Sequence, residues 1–482
     1  MGYEPVIGLE VHLQLSTRTK LFCGCLTKFG APPNSQTCPV CLGLPGVLPV
    51  LNERVLEWGI KVALAFDCQI AKVMKFDRKQ YFYPDLPKSY QISQYDQPLC
   101  QHGHLDILVD GETKRIGITR IHLEEDAGKL LHEGHETDTL IDFNRTGVPL
   151  LEIVSEPDLR SADEAYQYLA ELKAILRYLD VSTCNMEEGS LRCDTNVSLR
   201  RPGAAALGSK VEVKNLNSFR AVKQALEYEM TRQAGVLDRG ERIPQETRLW
   251  DAKALRTESM RSKEEAADYR YFPEPDLVPF VIDQALITRS QALLPELPAA
   301  RRKRFQETYR LCAYDAQVLT QDRVLAQLFE GAIQAGALPK PVANWVMGDL
   351  SAYLNAKGLE ADAVKLRPEW LAHLVELVDS GRLSGRMAKD VFLQMVERGR
   401  DPVQLVNESG LQQIVDDKAL EQIADAVLQA NKKSVEDYLK GKHTAFTHLM
   451  GQAMKQSQGK ASPQQMSDML KRKLAQANVQ SS

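Results

Sequence analysis

The chain has 482 residues, of which 44% are hydrophobic and 26% are charged, and its formal net charge at pH 7 is −4. This length is too great for one ordinary hydrophobic core and predicts two to four domains. The composition is typical of a soluble globular protein, and no apolar run is long enough to cross a bilayer, so we expect no membrane association.

The first predicted element is a β-strand in VIGLEVHLQL, residues 6–15. Its apolar residues alternate with Glu10, His12 and Gln14, which therefore share the opposite face. The N-terminal stretch carries Glu4 and Glu10 without a basic segment, so it does not resemble a signal or transit peptide. We therefore expect the chain in the cytoplasm, where thiols are kept reduced.

Four of the nine cysteines follow within nineteen residues, in CGCLTKFGAPPNSQTCPVC at 23–41. They form two short cysteine turns, Cys23-x-Cys25 and Cys38-x-x-Cys41. Four thiolates suit a tetrahedral Zn2+, and a loop with little to bury gains stability from a metal. Adventitious thiols or a redox pair are the alternatives. Four sulfur ligands would close the coordination shell, so such a zinc would be structural and not catalytic.

An aromatic and basic stretch follows at 76–96, with the sequence FDRKQYFYPDLPKSYQISQYD. It contains six aromatic residues together with Arg78, Lys79 and Lys88. Aromatic faces with interleaved cations suit a base, an adenine or a nucleic-acid end. The alternative is a tyrosine-rich structural loop.

Acidic residues recur on the polar faces of later predicted strands. Asp194 lies on the polar face of LRCDTNVSLR, Glu212 lies on that of KVEVKNLN, and HLEED at 122–126 ends a strand-like stretch. Carboxylates that converge on one surface repel each other unless a cation neutralises them, and oxygen ligands with one imidazole favour Mg2+ or Mn2+. The alternative is that each acid is separately solvated. Strand phase leaves three candidates open within HLEED: Glu124, Glu125 and Asp126.

The order of these elements predicts an α+β fold. Helices predicted at 161–180 and 218–235 intervene between alternating strands, which indicates a largely antiparallel sheet with helices on one side and a solvated surface on the other. Five prolines within 272–300 mark a boundary, beyond which apolar residues follow helical spacing. A second joint is expected at 398–410. We predict three parts: 1–292 with the zinc-binding loop at 23–41, a helical domain at 293–404, and a small helical tail at 405–482.

Charge is uneven in the predicted tail. From Lys440 to the end there are six Lys and one Arg against one Asp, which gives a net charge of +6 in a chain whose total is −4. A local basic arm on an acidic protein favours a polyanion such as RNA as its partner. A solvated helical face is the alternative.

Six stretches together resemble the GatB family, one of the subunits of the aspartyl/glutamyl-tRNA amidotransferase. They are IGLEVHLQL, DRKQYFYPDLPKSYQISQYD, NRTGVPLLEIVSEPD, LRCDTNVSLR, KVEVKNLNSF and MRSKEEAADYRYFPEPDL. The resemblance runs from Val6 to about Phe280, and it continues more loosely through the helical part and a YqeY-like tail. It implies an N-terminal cradle domain that binds ATP, Mg2+ and the acceptor end of a tRNA, and a tail that contacts the tRNA body.

The resemblance also implies an activity, that of an ATP-dependent carbon–nitrogen ligase with glutamine as amido donor. Its substrate would be a misacylated tRNA, Glu-tRNA(Gln) or Asp-tRNA(Asn). A carboxylate is a poor electrophile, so ATP would first phosphorylate the side chain, and ammonia would then replace the phosphate. Stabilising the transferred phosphoryl group needs positive charge, which a metal and a lysine can supply. A non-catalytic tRNA-binding scaffold is the competing hypothesis.

The resemblance assigns roles to particular residues. The Mg2+ ligands that it implies are Glu10, His12 and Glu125. The residues implied for catalysis are Lys79, Glu10, Asp194 and Glu212, where Lys79 would steer a phosphate or the substrate carboxylate. Asn196, Lys214 and Arg248 are candidates only for lining the cofactor-binding pocket.

Ammonia must come from a partner, because the chain carries no amidase Ser–Ser–Lys signature and no evident Cys–His glutaminase pair. The resemblance implies that an amidase subunit hydrolyses glutamine and delivers ammonia, and that a small third subunit joins the pair into a heterotrimer, the GatCAB complex. The expected cofactors are therefore ATP, Mg2+ and a structural Zn2+ at Cys23, Cys25, Cys38 and Cys41.

Overall fold

A computed structural model describes residues 2–131, 138–262, 268–409, 417–457 and 461–480. The chain divides into two compact units, Met1–Ala300 and Arg301–Ser482. The first unit combines strands with helices, and the second is helical, which confirms the predicted α+β class with a helical C-terminal region. The predicted boundaries at 292 and 404 stay predictions.

A nine-stranded sheet lies at the centre of the first unit. The strands of this unit are β1 (Glu4–Gln14), β2 (Gln69–Ile70), β3 (Val73–Met74), β4 (Asp77–Gln80), β5 (Tyr90–Ser93), β6 (Cys100–Val109), β7 (Glu112–Glu125), β8 (Lys129–Leu131), β9 (Leu140–Asp142), β10 (Pro149–Ser155), β11 (Leu191–Arg200), β12 (Val211–Lys214), β13 (Glu246–Asp251), β14 (Arg256–Ser262), β15 (Phe272–Pro273) and β16 (Phe280–Val281).

The strand order in this sheet is β14-β13-β12-β11-β1-β10-β7-β6-β2. Neighbouring strands pair antiparallel, apart from β12 and β13, which are parallel. The largely antiparallel sheet of the sequence prediction is therefore present. Three smaller sheets accompany it within the described residues: β15-β4-β5, β16-β3 and β8-β9.

The central strand β1 explains why the sheet has one apolar face and one polar face. Successive side chains of a strand point to opposite faces, and Val11 and Leu13 are wholly buried while Glu10 and His12 are partly exposed. The helices α1 (Glu53–Ala65), α2 (Ala162–Leu179) and α3 (Phe219–Asp238) share one hydrophobic cluster with the apolar face. The polar face is left free of this cluster.

Local sequence explains how these helices begin and how closely one of them packs. Ser161 and Ser218 cap α2 and α3, because each side chain accepts a hydrogen bond from the backbone N–H three residues later, at 3.1 Å. On α1, a Cβ atom at Gly59 would lie 2.7 Å from Leu99 Cδ2. Glycine therefore lets α1 pack against the sheet without displacing the Leu99 side chain.

Among its described residues, the second unit contains two separate hydrophobic clusters, one between Phe305 and Val406 and one between Leu420 and Leu474. A short π-helix at Val346–Leu350 and a short 3-10 helix at Ala361–Ala363 lie between the α-helices. The remaining helices are α4 (Gln284–Ala292) in the first unit, α5 (Pro298–Tyr309) across the boundary, and α6 (Ala313–Thr320), α7 (Arg323–Gln334), α8 (Pro339–Trp345), α9 (Ser351–Lys357), α10 (Pro368–Asp379), α11 (Gly385–Arg398), α12 (Pro402–Ser409), α13 (Asp417–Ala430), α14 (Lys432–Leu439), α15 (His443–Gln456) and α16 (Pro463–Gln480) in the second.

None of the helices in the described part of the chain combines the length and the hydropathy that a transmembrane span needs.

Candidate functional site

Two histidines and two glutamates meet on the polar face of the sheet. His12 on β1 lies opposite Glu152 on β10, and Glu152 lies opposite His122 on β7. Glu124 follows His122 by two residues and therefore lies on the same face of β7. We call these four residues the acid–histidine cluster: His12, His122, Glu124 and Glu152.

The atoms of the acid–histidine cluster are close enough to share a cation. His12 Nε2 lies 3.3 Å from Glu152 Oε2 and 3.7 Å from Glu124 Oε1. Ligand atoms of His12, Glu124 and Glu152 all lie within 4.8 Å of one another. Two carboxylates with one imidazole are a donor set that suits Mg2+ or Mn2+. The residues present therefore fit a hard divalent cation.

Without a cation, the two imidazoles compensate the two carboxylates. Burial disfavours the protonated form of His122, but the carboxylates of Glu152 and Glu124 raise its pKa to about 9. Burial likewise disfavours the charged form of Glu152, but the two histidines hold its pKa well below the ordinary value. A bound divalent cation can take over this role, because it supplies the same two positive charges.

Lys79 on β4 belongs to the surroundings of this cluster. Burial favours the neutral amine, but the charges of Glu124, Tyr271 and Glu152 raise the pKa of Lys79 above its ordinary value. Its Nζ lies 5.0 Å from the centre of the Tyr269 ring. The predicted catalytic lysine is therefore a cation held between aromatic rings and the acidic side chains.

A second group of predicted residues lies farther along the same face. Asn196 Nδ2 donates to Glu10 Oε1 at 2.8 Å, and Glu10 lies opposite Asp194 in the register. Lys214 Nζ lies 2.5 Å from Asp194 Oδ2 and 3.0 Å from Glu212 Oε1. The structure brings these five predicted residues together, but their carboxylates are satisfied by Lys214 and Asn196. Glu10 does not belong to the close group of candidate cation ligands, which is His12, Glu124 and Glu152.

The structure brings Glu124, and not Glu125, to His12. Glu125 points to the opposite face of β7, because successive strand residues alternate. Its Oε1 pairs with Lys88 Nζ and accepts a hydrogen bond from the backbone N–H of Ile92 at 3.0 Å. Strand phase left both acids open, and only the resemblance favoured Glu125. The assignment of Glu125 as a cation ligand is therefore corrected, because its carboxylate is committed to Lys88.

Sequence reasoning missed Glu152 and His122. Glu152 is the single acid in the apolar strand PLLEIVS, and it is only 8% exposed. An acid is almost never buried unless it is paired, so an isolated acid in such a strand was a usable signal. His122 gave no comparable signal, because it lies beside the acids of HLEED and its partner is on another strand.

Arg248 lies on the other side of the sheet from the predicted pocket. On β13 it shares a face with the buried Trp250, and its Nε lies 3.2 Å from Glu229 Oε1 on α3. Thr247 takes the position toward the pocket instead, since its Oγ1 donates to Glu212 Oε2 at 2.8 Å. The prediction that Arg248 lines the cofactor-binding pocket is therefore corrected, because Arg248 lies between the sheet and α3.

Replacing Arg248 with Gln should lower the free energy of unfolding by about 2 kcal/mol, because it removes an ion-pair partner of the wholly buried Glu229. Arg232 still pairs with Glu229 and limits the loss. Urea unfolding measures the effect, and nucleotide affinity should not change. The matched control is Arg239→Gln, an exposed arginine paired with Glu241. An unchanged unfolding midpoint with weakened nucleotide binding would contradict this reading.

The four cysteines of the 23–41 loop converge. Their sulfur atoms all lie within 4.8 Å of one another, and the Sγ atoms of Cys38 and Cys41 are 3.9 Å apart. Tetrahedral zinc with Zn–S bonds of about 2.3 Å separates its sulfurs by about 3.8 Å. A hydrogen bond from Cys23 lowers the pKa of Cys41 to about 4. The donor set therefore fits a closed, structural Zn2+ site.

Two cavities border these residues. One of about 570 Å³ lies beside the cysteine loop and is lined in part by Cys41, Lys88 and Glu125. A wider, open one of about 1460 Å³ reaches the polar face of the sheet. Its lining includes Gln14, Arg145, Arg192, Asp194 and Asn215.

Comparison with known proteins identifies the family. A family model described as the GatB/GatE catalytic domain matches residues 5–288, and one described as the GatB domain matches residues 327–474. A protein of Carboxydothermus hydrogenoformans, named as the B subunit of an aspartyl/glutamyl-tRNA(Asn/Gln) amidotransferase, is 56% identical over 476 residues, which are 98% of this chain and 99% of the relative. A protein with the same name from Caldanaerobacter subterraneus subsp. tengcongensis is 55% identical over 475 residues, which are 98% of this chain and 100% of the relative. Another from a Synechococcus strain is 53% identical over 478 residues, which are 98% of this chain and 98% of the relative. The chain belongs to the GatB family of amidotransferase subunits.

Proposed function

We propose that this chain is the catalytic subunit of an ATP-dependent amidotransferase that converts Glu-tRNA(Gln), Asp-tRNA(Asn) or both into the corresponding amides. The full-length similarity to relatives named for this activity supports the proposal. The observation that carries a catalytic role is the acid–histidine cluster. A tRNA-binding scaffold has no need for buried carboxylates and histidines with perturbed pKa values, which are typical of active sites.

The proposed reaction has two steps. In the first, a side-chain carboxylate oxygen of the esterified amino acid attacks the γ-phosphorus of ATP, an O–P bond forms, and ADP leaves. In the second, ammonia attacks the acyl carbon, a C–N bond forms, and the C–O bond breaks to release inorganic phosphate and a proton. The amide product remains esterified to the tRNA.

Three residues of the acid–histidine cluster are the proposed ligands of Mg2+: His12, Glu124 and Glu152. Bound there, Mg2+ would supply positive charge to the oxygens of the transferred phosphoryl group. Lys79 would add a second positive charge, since the neighbouring acids keep it protonated. A bound Mg2+ and Lys79 would thus stabilise the developing negative charge together.

The second group of polar residues is proposed to line the nucleotide end of the same face. Lys214 compensates the charges of Asp194 and Glu212, and Asn196 donates a hydrogen bond to Glu10. Both side chains can donate the same N–H groups to a phosphate or a ribose. Glu10, Asp194 and Glu212 would set their orientation. Glu10 is proposed here as a partner of Asn196 and not as a cation ligand.

The wider cavity is the proposed site for the aminoacylated 3′ end of the tRNA. Its arginines, Arg145 and Arg192, can contact phosphates, and its amides, Gln14 and Asn215, can hydrogen-bond sugar or base edges. Tyr95 of the aromatic stretch stacks on Tyr271 with ring centres 4.4 Å apart, and this pair offers a further surface for a base.

The proposed partners are an amidase subunit, which supplies ammonia, and a small third subunit that completes the heterotrimer. The tail is proposed to contact the tRNA body through exposed basic residues such as Lys455, Lys471 and Arg472. Lys473 does not belong to this surface, because it pairs with Glu421 and Asp425. The cysteine loop is proposed to hold a structural Zn2+, and the cytoplasm is the proposed compartment.

Reconstitution tests the catalytic role. The chain is combined with a candidate amidase and a candidate small subunit, and ADP and amide formation are followed separately on Glu-tRNA(Gln) and Asp-tRNA(Asn). In this assay Lys79→Ala should lower both rates by about 100-fold, while glutamine hydrolysis by the partner persists. Lys72→Ala, an exposed lysine nearby, is the matched control and should have no effect. A scaffold role requires normal ADP and amide formation by the Lys79 variant.

A further inference from the structure

His122 is the inner histidine of the acid–histidine cluster. Its side chain is 3% exposed, whereas that of His12 is 21% exposed. Both histidines lie opposite Glu152 in the register, one on each neighbouring strand. The Glu152 carboxylate therefore lies between a buried imidazole and a partly exposed one.

The two histidines contact different oxygens of Glu124. His122 Nε2 lies 3.7 Å from Oε2, and His12 Nε2 lies 3.7 Å from Oε1. Ser93 Oγ donates a hydrogen bond to the same Oε2 at 3.2 Å. Ser93 and the buried His122 thus contact Oε2 of Glu124, and Oε1 faces His12.

The Glu152 carboxylate depends on the two histidines alone for its direct polar contacts with other described residues. Both contacts go to Oε2, from His12 Nε2 at 3.3 Å and from His122 Nε2 at 3.2 Å. A histidine that binds a cation through Nε2 uses the lone pair of that atom and cannot carry a proton there. When His12 binds the cation, His122 is therefore the donor that remains for Glu152.

On the basis of the proposed function, we infer that His122 is a positioning residue of the cation site and not one of its ligands. It donates Nε2–H to Glu152 and keeps the Glu124 carboxylate turned toward His12. Its Nδ1 is buried without a hydrogen-bond partner among the described residues, so its polar contacts are those of Nε2. Groups that hydrogen-bond to metal ligands in this way typically contribute 10- to 100-fold to metal affinity.

Mn2+ binding to the full-length chain tests this inference, with electron paramagnetic resonance as the readout. His122→Leu should weaken the dissociation constant for Mn2+ by about 10- to 100-fold. His122→Gln should recover most of the affinity, because its amide nitrogen can donate near the position of Nε2. Thermal unfolding of His122→Gln verifies that the variant is folded. Unchanged Mn2+ affinity in His122→Leu would overturn the inference.

Electron spin echo modulation of the bound Mn2+ distinguishes a positioning residue from a ligand. The ¹⁴N coupling of a directly bound imidazole should persist in His122→Leu at saturating Mn2+ and disappear in His12→Gln. The reverse pattern would make His122 the ligand and overturn the inference. If the wild-type chain binds no Mn2+ at a single site, the proposed cation centre itself fails. That outcome is distinct from a normal wild-type site that is indifferent to His122.

Discussion

Glu124→Gln should lower ATP cleavage and amide formation by the assembled enzyme by about 1000-fold. A neutral amide at this position removes one negative charge from the cation site, and about 4 kcal/mol of transition-state stabilisation corresponds to this loss in rate. The affected oxygen is Oε1, which faces His12. ADP release and amide formation on misacylated tRNA are measured at increasing Mg2+, which should restore activity only in part.

Two further variants make this result specific. Glu112 is exposed at the beginning of the same strand, so Glu112→Gln should behave like the wild type. Glu125→Gln leaves the buried Lys88 without its carboxylate, so it should destabilise the first unit but leave the half-saturating Mg2+ concentration unchanged. A shift in Mg2+ dependence for Glu125→Gln, together with a normal dependence for Glu124→Gln, would return the cation to the originally predicted residue.

The sequence was sufficient where the determining interactions are local. The alternation in β1 predicted both the strand and the face that carries Glu10 and His12, because side-chain direction repeats every two residues. At the end of β7 the same argument fails, since Glu124, Glu125 and Asp126 are all buried. When both faces of a strand are covered, the pattern of polarity no longer tells which face is which.

The remaining errors concern strands that are distant in sequence but neighbours in the sheet. Glu152 lies next to His12 because β10 pairs with β1, and nothing in either strand specifies that pairing. Arg248 lies toward α3 because β13 joins β12 in the parallel pair of this sheet, where Thr247 is opposite Glu212. Strand order follows from packing over the whole unit, so periodicity along one segment cannot supply it.

The cysteine loop is predicted to need its metal for stability. Between β1 and α1 the described backbone contains no helix and no extended strand pairing beyond the isolated bridge of Thr19 with Leu26. The loop also holds a distant segment, since Asn34 donates to the carbonyl of Ile141 at 2.9 Å and accepts from the N–H of Phe143 at 2.8 Å. A zinc ion held by the four sulfurs would therefore be a principal crosslink of this region, and its loss should loosen both segments.

Cys41→Ser should therefore reduce bound zinc from one ion per chain to a small fraction and lower the melting temperature by about 5 °C or more. Limited proteolysis should show new cleavage within 23–41, because the loop buries little of its own backbone.

Cys312→Ser is the matched control, since that thiol is exposed and remote from the loop in sequence. Both the zinc content and the melting temperature of this variant should stay normal. The half-saturating Mg2+ concentration of the folded Cys41→Ser enzyme should be close to the wild-type value. The proposed Mg2+ ligands are His12, Glu124 and Glu152, and none of them belongs to the cysteine loop. A zinc-free wild-type chain, or a Cys41 variant with unaltered melting and proteolysis, would mean that side-chain packing alone holds the loop.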